Sequence, residues 1–216
     1  MDLTIIYKDE NSRVITEEQA AFLTEYTVIT LKNGAVKKKE WLVKRREGDL
    51  KAVEYYLDSS ESKTEVIKYY QDDKIAITIY FNSESSNGFT LWNFEQYGKD
   101  GTLKFKGYTV YNEKHWDVMN CEIDLYSGDL LKCGRKYYYG NQFPNQYDDL
   151  LLKFDYNADG SLNEISDFND NYDFNQGPVQ LESFLSHMKA LNQEFIWDKH
   201  SYFHSLKPYL PETKNL

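Results

Sequence analysis

Residues 150–168 read LLLKFDYNADGSLNEISDF and carry a strong local hairpin signal. One apolar run leads into a polar turn at residues 157–160, and a second run leads away from it. Gly160 accepts the positive φ that tight hairpin turns require. The stretch therefore predicts a β-hairpin with one strand on each side of the turn.

The same turn pattern, a glycine followed two residues later by a leucine, occurs at four places in the chain. The four turns lie at residues 47–50, 100–103, 127–130 and 159–162. Glycine suits the turn itself, and leucine supplies the first inward side chain of the strand that follows. Aromatic residues flank these turns, which favours strands because their rings fit a half-buried pleated surface.

Residues 154–162, FDYNADGSL, resemble one unit of the YD (Rhs-type) repeats and of the MORN-variant repeats of bacterial antitoxin-like proteins. Residues 97–103 are similar to the same unit. The resemblance extends over the four hairpins that share the glycine–leucine turn. It implies that these hairpins are structural units that provide contact surfaces rather than catalysis.

The whole sequence predicts a single, mainly β domain over residues 1–216. Strand-forming runs alternate with short turns from residue 26 to 168, which predicts an antiparallel β-meander of about a dozen strands. Thr16 and Gln19 have the spacing of a capping box and predict a short N-terminal helix. Apolar residues recur at helical spacing within residues 178–207, which predicts a C-terminal helical segment packed on the sheet.

Residue types in three shorter stretches predict local structure. Residues 64–70 and 75–81 are rich in β-branched and aromatic side chains, which predicts a hairpin closed by a turn at residues 71–74. Residues 82–88, NSESSNG, are polar and predict a loop. Pro178 is expected in the first turn of the C-terminal helix, where its missing amide hydrogen is not needed.

Composition and charge restrict the class of partner. The 216 residues include 19 tyrosines and 12 phenylalanines, which argues against a disordered chain. The formal net charge of -10 repels nucleic-acid phosphates and favours a basic protein as partner. No apolar stretch approaches the roughly 20 residues of a membrane span, and the first residues, MDLTIIYKDE, do not read as a signal peptide. A cytoplasmic protein is expected unless a leader has been removed.

Two cysteines, Cys121 and Cys133, lie on either side of the turn at residues 126–128. In a reducing compartment we expect free thiols that behave as small buried apolar side chains. In an oxidising compartment the same two residues could form a disulfide across the hairpin.

The hairpin at residues 150–168 also has the spacing of a calcium-binding loop. The residues at positions 1, 3, 5, 7 and 9 of an EF-hand-type loop are Asp155, Asn157, Asp159, Ser161 and Asn163. The twelfth position, which should supply a bidentate glutamate, is Ser166, and Asp167 or Asp170 could substitute for it. These residues predict a calcium site. The alternative is a hairpin turn whose Asp and Gly residues satisfy turn geometry alone.

Other clusters carry weaker predictions. Asp167, Asp170 and Asp173 form an acidic loop that suits a cation, a basic partner or solvent alone. His200 and His204 have a spacing that suits zinc if they lie on one helix face, although they can equally be ordinary surface or interfacial histidines. The sequence contains no nucleophile elbow, P-loop or dinucleotide-binding motif, so no catalytic residue is predicted.

Residues 32–51 contain eight basic and three acidic residues and form the basic segment. The basic segment could orient an otherwise acidic protein on its partner. Alternatively, its lysines lie at a sheet edge and discourage edge-to-edge aggregation. Trp41, inside this segment, is either a contact residue or a core residue.

Taken together, these features favour a non-enzymatic binding protein, in particular an immunity- or antitoxin-like protein that binds a basic protein through an acidic, tyrosine-rich surface. One alternative is a surface or periplasmic module that binds carbohydrate or calcium. The other is a hydrolase with paired carboxylates, which leaves no motif in a sequence.

Overall fold

The computed structural model describes residues 2–44, 50–131, 134–140, 150–168, 177–191 and 195–213. The strands are β1 (Leu3–Lys8), β2 (Val14–Ile15), β3 (Glu25–Lys32), β4 (Ala35–Val43), β5 (Leu50–Tyr56), β6 (Ala76–Ser86), β7 (Phe89–Tyr97), β8 (Leu103–Asn112), β9 (Asp117–Glu122), β10 (Gly134–Tyr139), β11 (Leu150–Tyr156) and β12 (Leu162–Asp167). The α-helices are α1 (Glu17–Phe22), α2 (Lys63–Asp72) and α3 (Leu181–Ala190).

The strands form one mixed sheet in the order β12-β11-β10-β9-β8-β7-β6-β5-β4-β3-β1-β2. Strand order follows chain order almost throughout, because short turns place consecutive strands side by side. The order differs where β1 lies between β2 and β3, and the strand direction differs where β5 and β6 pair in parallel. The predicted mainly β meander with minor helices is confirmed, with this one parallel pair added to it.

The predicted strand at residues 64–70 is wrong, because Lys63–Asp72 form helix α2. Ser62 caps this helix, and its Oγ accepts a hydrogen bond from the backbone N–H of Glu65 at 3.4 Å. A parallel pair needs a crossover connection between its strands, and α2 supplies it between β5 and β6. The hairpin predicted for this region is therefore replaced by a β-α-β unit.

The first compact unit comprises Met1–Asn82 and Phe94–Phe105. Its core brings side chains of α2 against β5 and β6. The buried members are Val53, Tyr70, Ile77 and Ile79, with Val66 and Ile67 of α2 packed against them. Burying one such side chain contributes about 1.5–3 kcal/mol. That exceeds the strand preference of β-branched residues, about 1 kcal/mol, so tertiary burial selects the helix.

The second compact unit comprises Ser83–Asn93 and Lys106–Leu216. Its core lies between the sheet and a cover made of α3 and the segment that follows it. The fully buried members include Val110, Met119, Leu152, Phe154 and Ile165 from strands, and Phe184, Phe203 and Leu206 from the cover. The prediction that the chain is one domain over residues 1–216 stays a prediction.

Residues 82–88 are not a loop as predicted, because β6 continues through Ser86 and only Asn87 and Gly88 form the turn. Both turn residues have positive φ, 54° and 81°. That combination matches the twist of the flanking strands and permits a two-residue hairpin. The polar residues at the end of β6 are exposed strand positions.

The N-terminal helix forms as predicted. Thr16 Oγ1 accepts a hydrogen bond from the backbone N–H of Gln19 at 3.2 Å. In return, the backbone N–H of Thr16 donates to Oε1 of Gln19 at 2.9 Å. The capping box is therefore confirmed at the start of α1.

Among the described residues of the range 178–207, only part is helical. Helix α3 begins at Leu181, and two 3₁₀ turns follow at Trp197–Lys199 and Ser201–Phe203. Pro178 precedes the helix rather than occupying its first turn, because the next residue, Val179, exchanges backbone hydrogen bonds with Ile165 of β12. The segment therefore joins the edge of the sheet before it turns back over one face.

Cys121 is buried on β9, whereas Cys133 and the turn predicted at residues 46–49 lie outside the described residues. The state of the two thiols stays a prediction. Within the described ranges, none of the helices is long and apolar enough to cross a membrane.

Candidate functional site

Asp155, the first predicted calcium ligand, lies on β11 between two basic side chains. Its Oδ1 is 3.1 Å from Nε of Arg135, and its Oδ2 is 3.1 Å from Nζ of Lys153. Arg135 lies directly opposite Asp155 on β10. The two cations thus contact both oxygens of the carboxylate that a calcium ion would need as a ligand.

The turn between β11 and β12 brings Asn157, Asp159 and Ser161 together. Asp159 Oδ1 accepts hydrogen bonds from the backbone N–H and the hydroxyl of Ser161, at 2.9 and 2.6 Å. Asn157 Nδ2 donates to Ser161 Oγ at 3.1 Å. These contacts stabilise the turn by themselves.

Asn163, the fifth predicted ligand, lies on β12 beyond the turn. Asp167 ends β12, and Asp170 and Asp173 of the acidic loop fall outside the described residues. In the part of the chain that the structure describes, no group of three or more His, Cys, Asp or Glu side chains could hold a metal ion. Calcium binding stays a prediction, and the observed contacts favour the turn as a purely structural unit.

The two histidines of the predicted zinc pair pack against aromatic rings. His200 stacks on Phe195 with ring centroids 4.3 Å apart. His204 stacks on Trp197 at 4.4 Å, and its Nε2 lies 2.9 Å from the Trp197 carbonyl oxygen. Burial lowers the pKa of His200, which favours a neutral ring at pH 7. Both rings contribute to aromatic packing, and zinc binding stays a prediction.

Five lysines of the basic segment are paired with acids. The ion pairs are Lys32–Asp58, Lys37–Asp58, Lys37–Glu61, Lys38–Glu40, Lys39–Glu54 and Lys51–Glu40. Strand β4 lies between β3 and β5, so the interpretation of its lysines as edge residues is wrong. Trp41 of β4 is half-buried. The charge of these five lysines is therefore largely balanced by neighbouring acids.

Two of the four glycine–leucine turns contribute to one open cleft of about 640 Å³, which we call the turn cleft. Its lining residues are Tyr108, Ile123, Gly128, Asp129, Leu130, Ala158, Asp159, Lys207 and Tyr209. All of them belong to the second compact unit. The cleft is thus formed by the turn after β9, the turn after β11 and residues 195–213, which we call the C-terminal segment.

The turn cleft carries two carboxylates and one ammonium group. Hydrogen bonds from Ser161 lower the pKa of Asp159, so this carboxylate is charged at neutral pH. Asp129 is exposed, and among the described residues no ion pair or hydrogen bond engages its carboxylate. Asp124, next in sequence to a lining residue, also has a lowered pKa, chiefly because it accepts the backbone N–H of Ser127. The cleft is therefore acidic on balance.

Tyr108 and Tyr209 form the aromatic part of the turn cleft. Their rings stack with centroids 5.0 Å apart and an interplanar angle of 29°. Burial, and next the thiol of Cys121, raise the pKa of Tyr209 to about 12, so its hydroxyl stays neutral. The Tyr202 hydroxyl donates to the Tyr209 carbonyl oxygen at 2.7 Å. The two rings are thus held in place beside the carboxylates.

A second unusual group, Lys136 of β10, lies beneath the C-terminal segment and is 0% exposed. Its Nζ donates to the carbonyl oxygens of Tyr202, Ser205 and Pro208 at 2.6, 2.9 and 2.9 Å. The ammonium also lies 3.6 Å from the centroid of the Tyr202 ring, as in a cation–π contact. All three N–H groups are occupied by backbone, so Lys136 anchors the C-terminal segment rather than reaching a substrate.

Burial lowers the pKa of Lys136 to about 7 from an ordinary value of 10.5, while the nearby Cys121 thiol acts in the opposite sense. Between pH 7 and 10.5 the unfolded chain then binds more protons at this residue than the folded chain. The contribution of Lys136 to stability is therefore complete above pH 10.5 and is lost as the pH falls through 7.

We expect the difference in unfolding free energy between the parent protein and Lys136→Met to increase from pH 7 to pH 9, by up to about 1.4 kcal/mol per pH unit. Urea titrations at several pH values measure it. The subtraction removes the titration of every other group. A constant difference would show that the three carbonyl oxygens and the Tyr202 ring keep the ammonium charged throughout this range.

Sequence reasoning missed most of these residues. It named Asp159 as a calcium ligand, but it gave no binding role to Asp129, Tyr108 or Tyr209, which lie in separate parts of the chain. For Lys136 a signal existed, because a lysine at an inward position of an apolar strand must find buried partners. Recognising it requires knowing which residues of β10 point inward. That depends on how β10 pairs with β9, where Lys136 lies opposite Met119.

Comparisons with known proteins identified no relative of this chain. No protein-family model, no curated protein sequence and no solved structure matches this chain.

Proposed function

We propose that this protein binds a basic protein partner and that the turn cleft receives a lysine or arginine side chain of that partner. One observation carries the proposal: Asp129 and Asp159 line the same cleft beside the stacked rings of Tyr108 and Tyr209. Carboxylates form charge-assisted hydrogen bonds with guanidinium and ammonium groups. Aromatic faces attract the same cations and cover their apolar stems.

The surroundings of the cleft support an interface. Tyr126, in the turn that supplies Asp129, is 99% exposed, and Leu131 just after that turn is 36% exposed. Tyrosine gives large contact area at low entropic cost. The net charge of -10 would speed association with a basic partner. An immunity- or antitoxin-like protein that covers the active site of a basic effector is the form of this function that we favour.

The test uses a defined cationic probe, N-acetyl-arginine amide, against its neutral analogue with citrulline in place of arginine. We expect the arginine compound to shift the amide resonances of the turn cleft in NMR titrations, and the citrulline compound to shift them far less. Asp129→Asn should weaken binding of the arginine compound three- to tenfold, about 0.7–1.4 kcal/mol. The difference should shrink as salt is added.

A matched control is Asp100→Asn. Asp100 lies in another of the four glycine–leucine turns and accepts hydrogen bonds from Thr102, as Asp159 does from Ser161. It does not line the cleft. Equal binding of arginine and citrulline compounds, or equal effects of the two Asn variants, would contradict the proposal.

Carbohydrate binding is the second candidate, because sugars also stack on aromatic rings and donate hydroxyl hydrogen bonds to carboxylates. Binding of neutral oligosaccharides would support this candidate if the Tyr108→Ala variant lost the binding and added salt did not change it. For a glycosidase, one carboxyl needs a raised pKa to act as the general acid. The pKa of Asp159 is lowered instead, so this residue does not suit that role.

A further inference from the structure

Strand β1 is paired along one side and open along most of the other. On the paired side, every residue of β1 from Leu3 to Lys8 lies opposite a residue of β3. On the other side, β2 reaches only Tyr7 and Lys8. Among the described strands, nothing pairs with residues 3–6 on that side.

The hydrogen-bond pattern shows which backbone groups face this open edge. The backbone N–H of Asn33 donates to the carbonyl oxygen of Asp2 at 2.9 Å, in register with the β1–β3 pairing. Even-numbered residues of β1 therefore bond towards β3, and odd-numbered residues bond the other way. In agreement, the N–H of Asp9 donates to the carbonyl oxygen of Arg13, on the β2 side. The N–H and C=O groups of Leu3 and Ile5 thus face outward.

The side chains on the open edge are apolar and exposed. Leu3 is 60% exposed and Ile5 is 57% exposed, and both lie on the same face of the sheet. Natural sheets protect such edges with lysine, proline or a bulge, and residues 3–6, LTII, contain none of these. An outward-facing backbone next to exposed apolar side chains is a template for another strand.

We propose that the occupant of this edge is β1 of a second copy of the chain, paired antiparallel about a two-fold axis. In such a pair, opposed residues project on the same face, so residues of equal parity must meet. Pairing Leu3 with Ile5 of the second copy, and Thr4 with Thr4, meets this condition. It also gives hydrogen-bond partners to all four outward-facing groups of Leu3 and Ile5 in each chain.

Shifting the second copy by two residues, so that it overlaps the part of β1 that pairs with β2, does not work. It would place Leu3 opposite Tyr7, whose outward groups are already used by β2. The chosen register also brings opposite charges together. On the face of the sheet opposite to Leu3 and Ile5, Asp2 of each chain lies diagonal to Lys8 of the other chain. Self-pairing therefore uses the outward backbone groups, the exposed apolar side chains and both flanking charges at once, which is why a second copy fits this edge.

Sedimentation measurements over a range of concentrations test the proposal. The parent protein should shift from a species of 25.6 kDa to one of twice that mass as concentration rises. Ile5→Lys should raise the dissociation constant at least tenfold, because two added charges meet hydrophobic partners across the axis. Val14→Lys is the matched control, since Val14 is 71% exposed on β2 outside the paired residues. It should leave the mass distribution unchanged.

A cysteine at the axis tests the register. Thr4 would face Thr4 in a non-hydrogen-bonded pair, where Cα atoms lie about 4.5 Å apart, within the range that a disulfide spans. Under mild oxidation, Thr4→Cys should yield a covalent dimer, whereas Asp2→Cys and the parent protein should not. A parent that remains monomeric up to about 1 mM, an Ile5→Lys variant that dimerises normally, or cross-linking through Asp2→Cys would each overturn the proposal.

Discussion

Lys136→Met is expected to lower the free energy of unfolding by about 3 kcal/mol. The substitution removes the donor shared by the carbonyl oxygens of Tyr202, Ser205 and Pro208. Each buried carbonyl left without a donor costs about 1–3 kcal/mol, and the loss of the charged amine recovers part of this by ending its own desolvation cost. Methionine is close to lysine in volume, so no large cavity adds to the effect.

Urea unfolding at neutral pH measures this loss, with Lys104→Met as the control. Lys104 pairs with Asp100 at 3.3 Å on an exposed surface, and losing that pair should change stability by less than about 0.5 kcal/mol. Amide exchange supplies a local readout, because residues 201–208 should lose protection first. An unchanged or increased stability of Lys136→Met would mean that burying the ammonium costs more than its three hydrogen bonds contribute.

Gly107→Ala is expected to destabilise the second compact unit by about 3 kcal/mol or more. Gly107 of β8 lies opposite Glu122 of β9, and a Cβ added to it would lie 2.0 Å from the backbone carbonyl oxygen of Cys121. That oxygen belongs to the backbone of a central strand and cannot rotate away as a side chain would. The two strands must separate, which loosens the buried residues on both of them.

Gly128→Ala is the matched control for that experiment. An added Cβ at Gly128 meets no atom within 4 Å, but the residue has a φ of 78°. The cost is then backbone strain alone, about 1–2 kcal/mol. Thermal unfolding of both variants compares steric overlap with strain. Equal losses would show that β8 and β9 accommodate the extra methyl group without separating.

The sequence predicted the hairpins and the N-terminal cap because their causes are local. Residues 157–160 bend the chain through the backbone preference of Gly160, and Thr16 and Gln19 bond to each other. Helix α2 was mispredicted although Ser62 and Glu65 have capping spacing, because its β-branched residues also suit a strand. Packing against β5 and β6 decided between helix and strand. The free energy of that packing cannot be read from the periodicity of the sequence.

The candidate site was less predictable than the fold. Asp159 was identified for a different role, and its companions Asp129, Tyr108 and Tyr209 come from separate parts of the chain. The lysines of the basic segment suggested a charged surface, yet five of them pair with acids such as Asp58 and Glu61. Charges that are summed along a sequence do not indicate which side chains meet.

Most of the turns, the strands around them and the mainly β architecture could thus be predicted from local sequence, because glycine conformations, caps and alternating side chains act over a few residues. Tertiary structure alone decided the parallel step through α2, the buried position of Lys136 and the grouping of two turns around one cleft. Each of these depends on contacts between distant segments, whose free energy comes from burial and hydrogen bonding that exist only once the chain has folded.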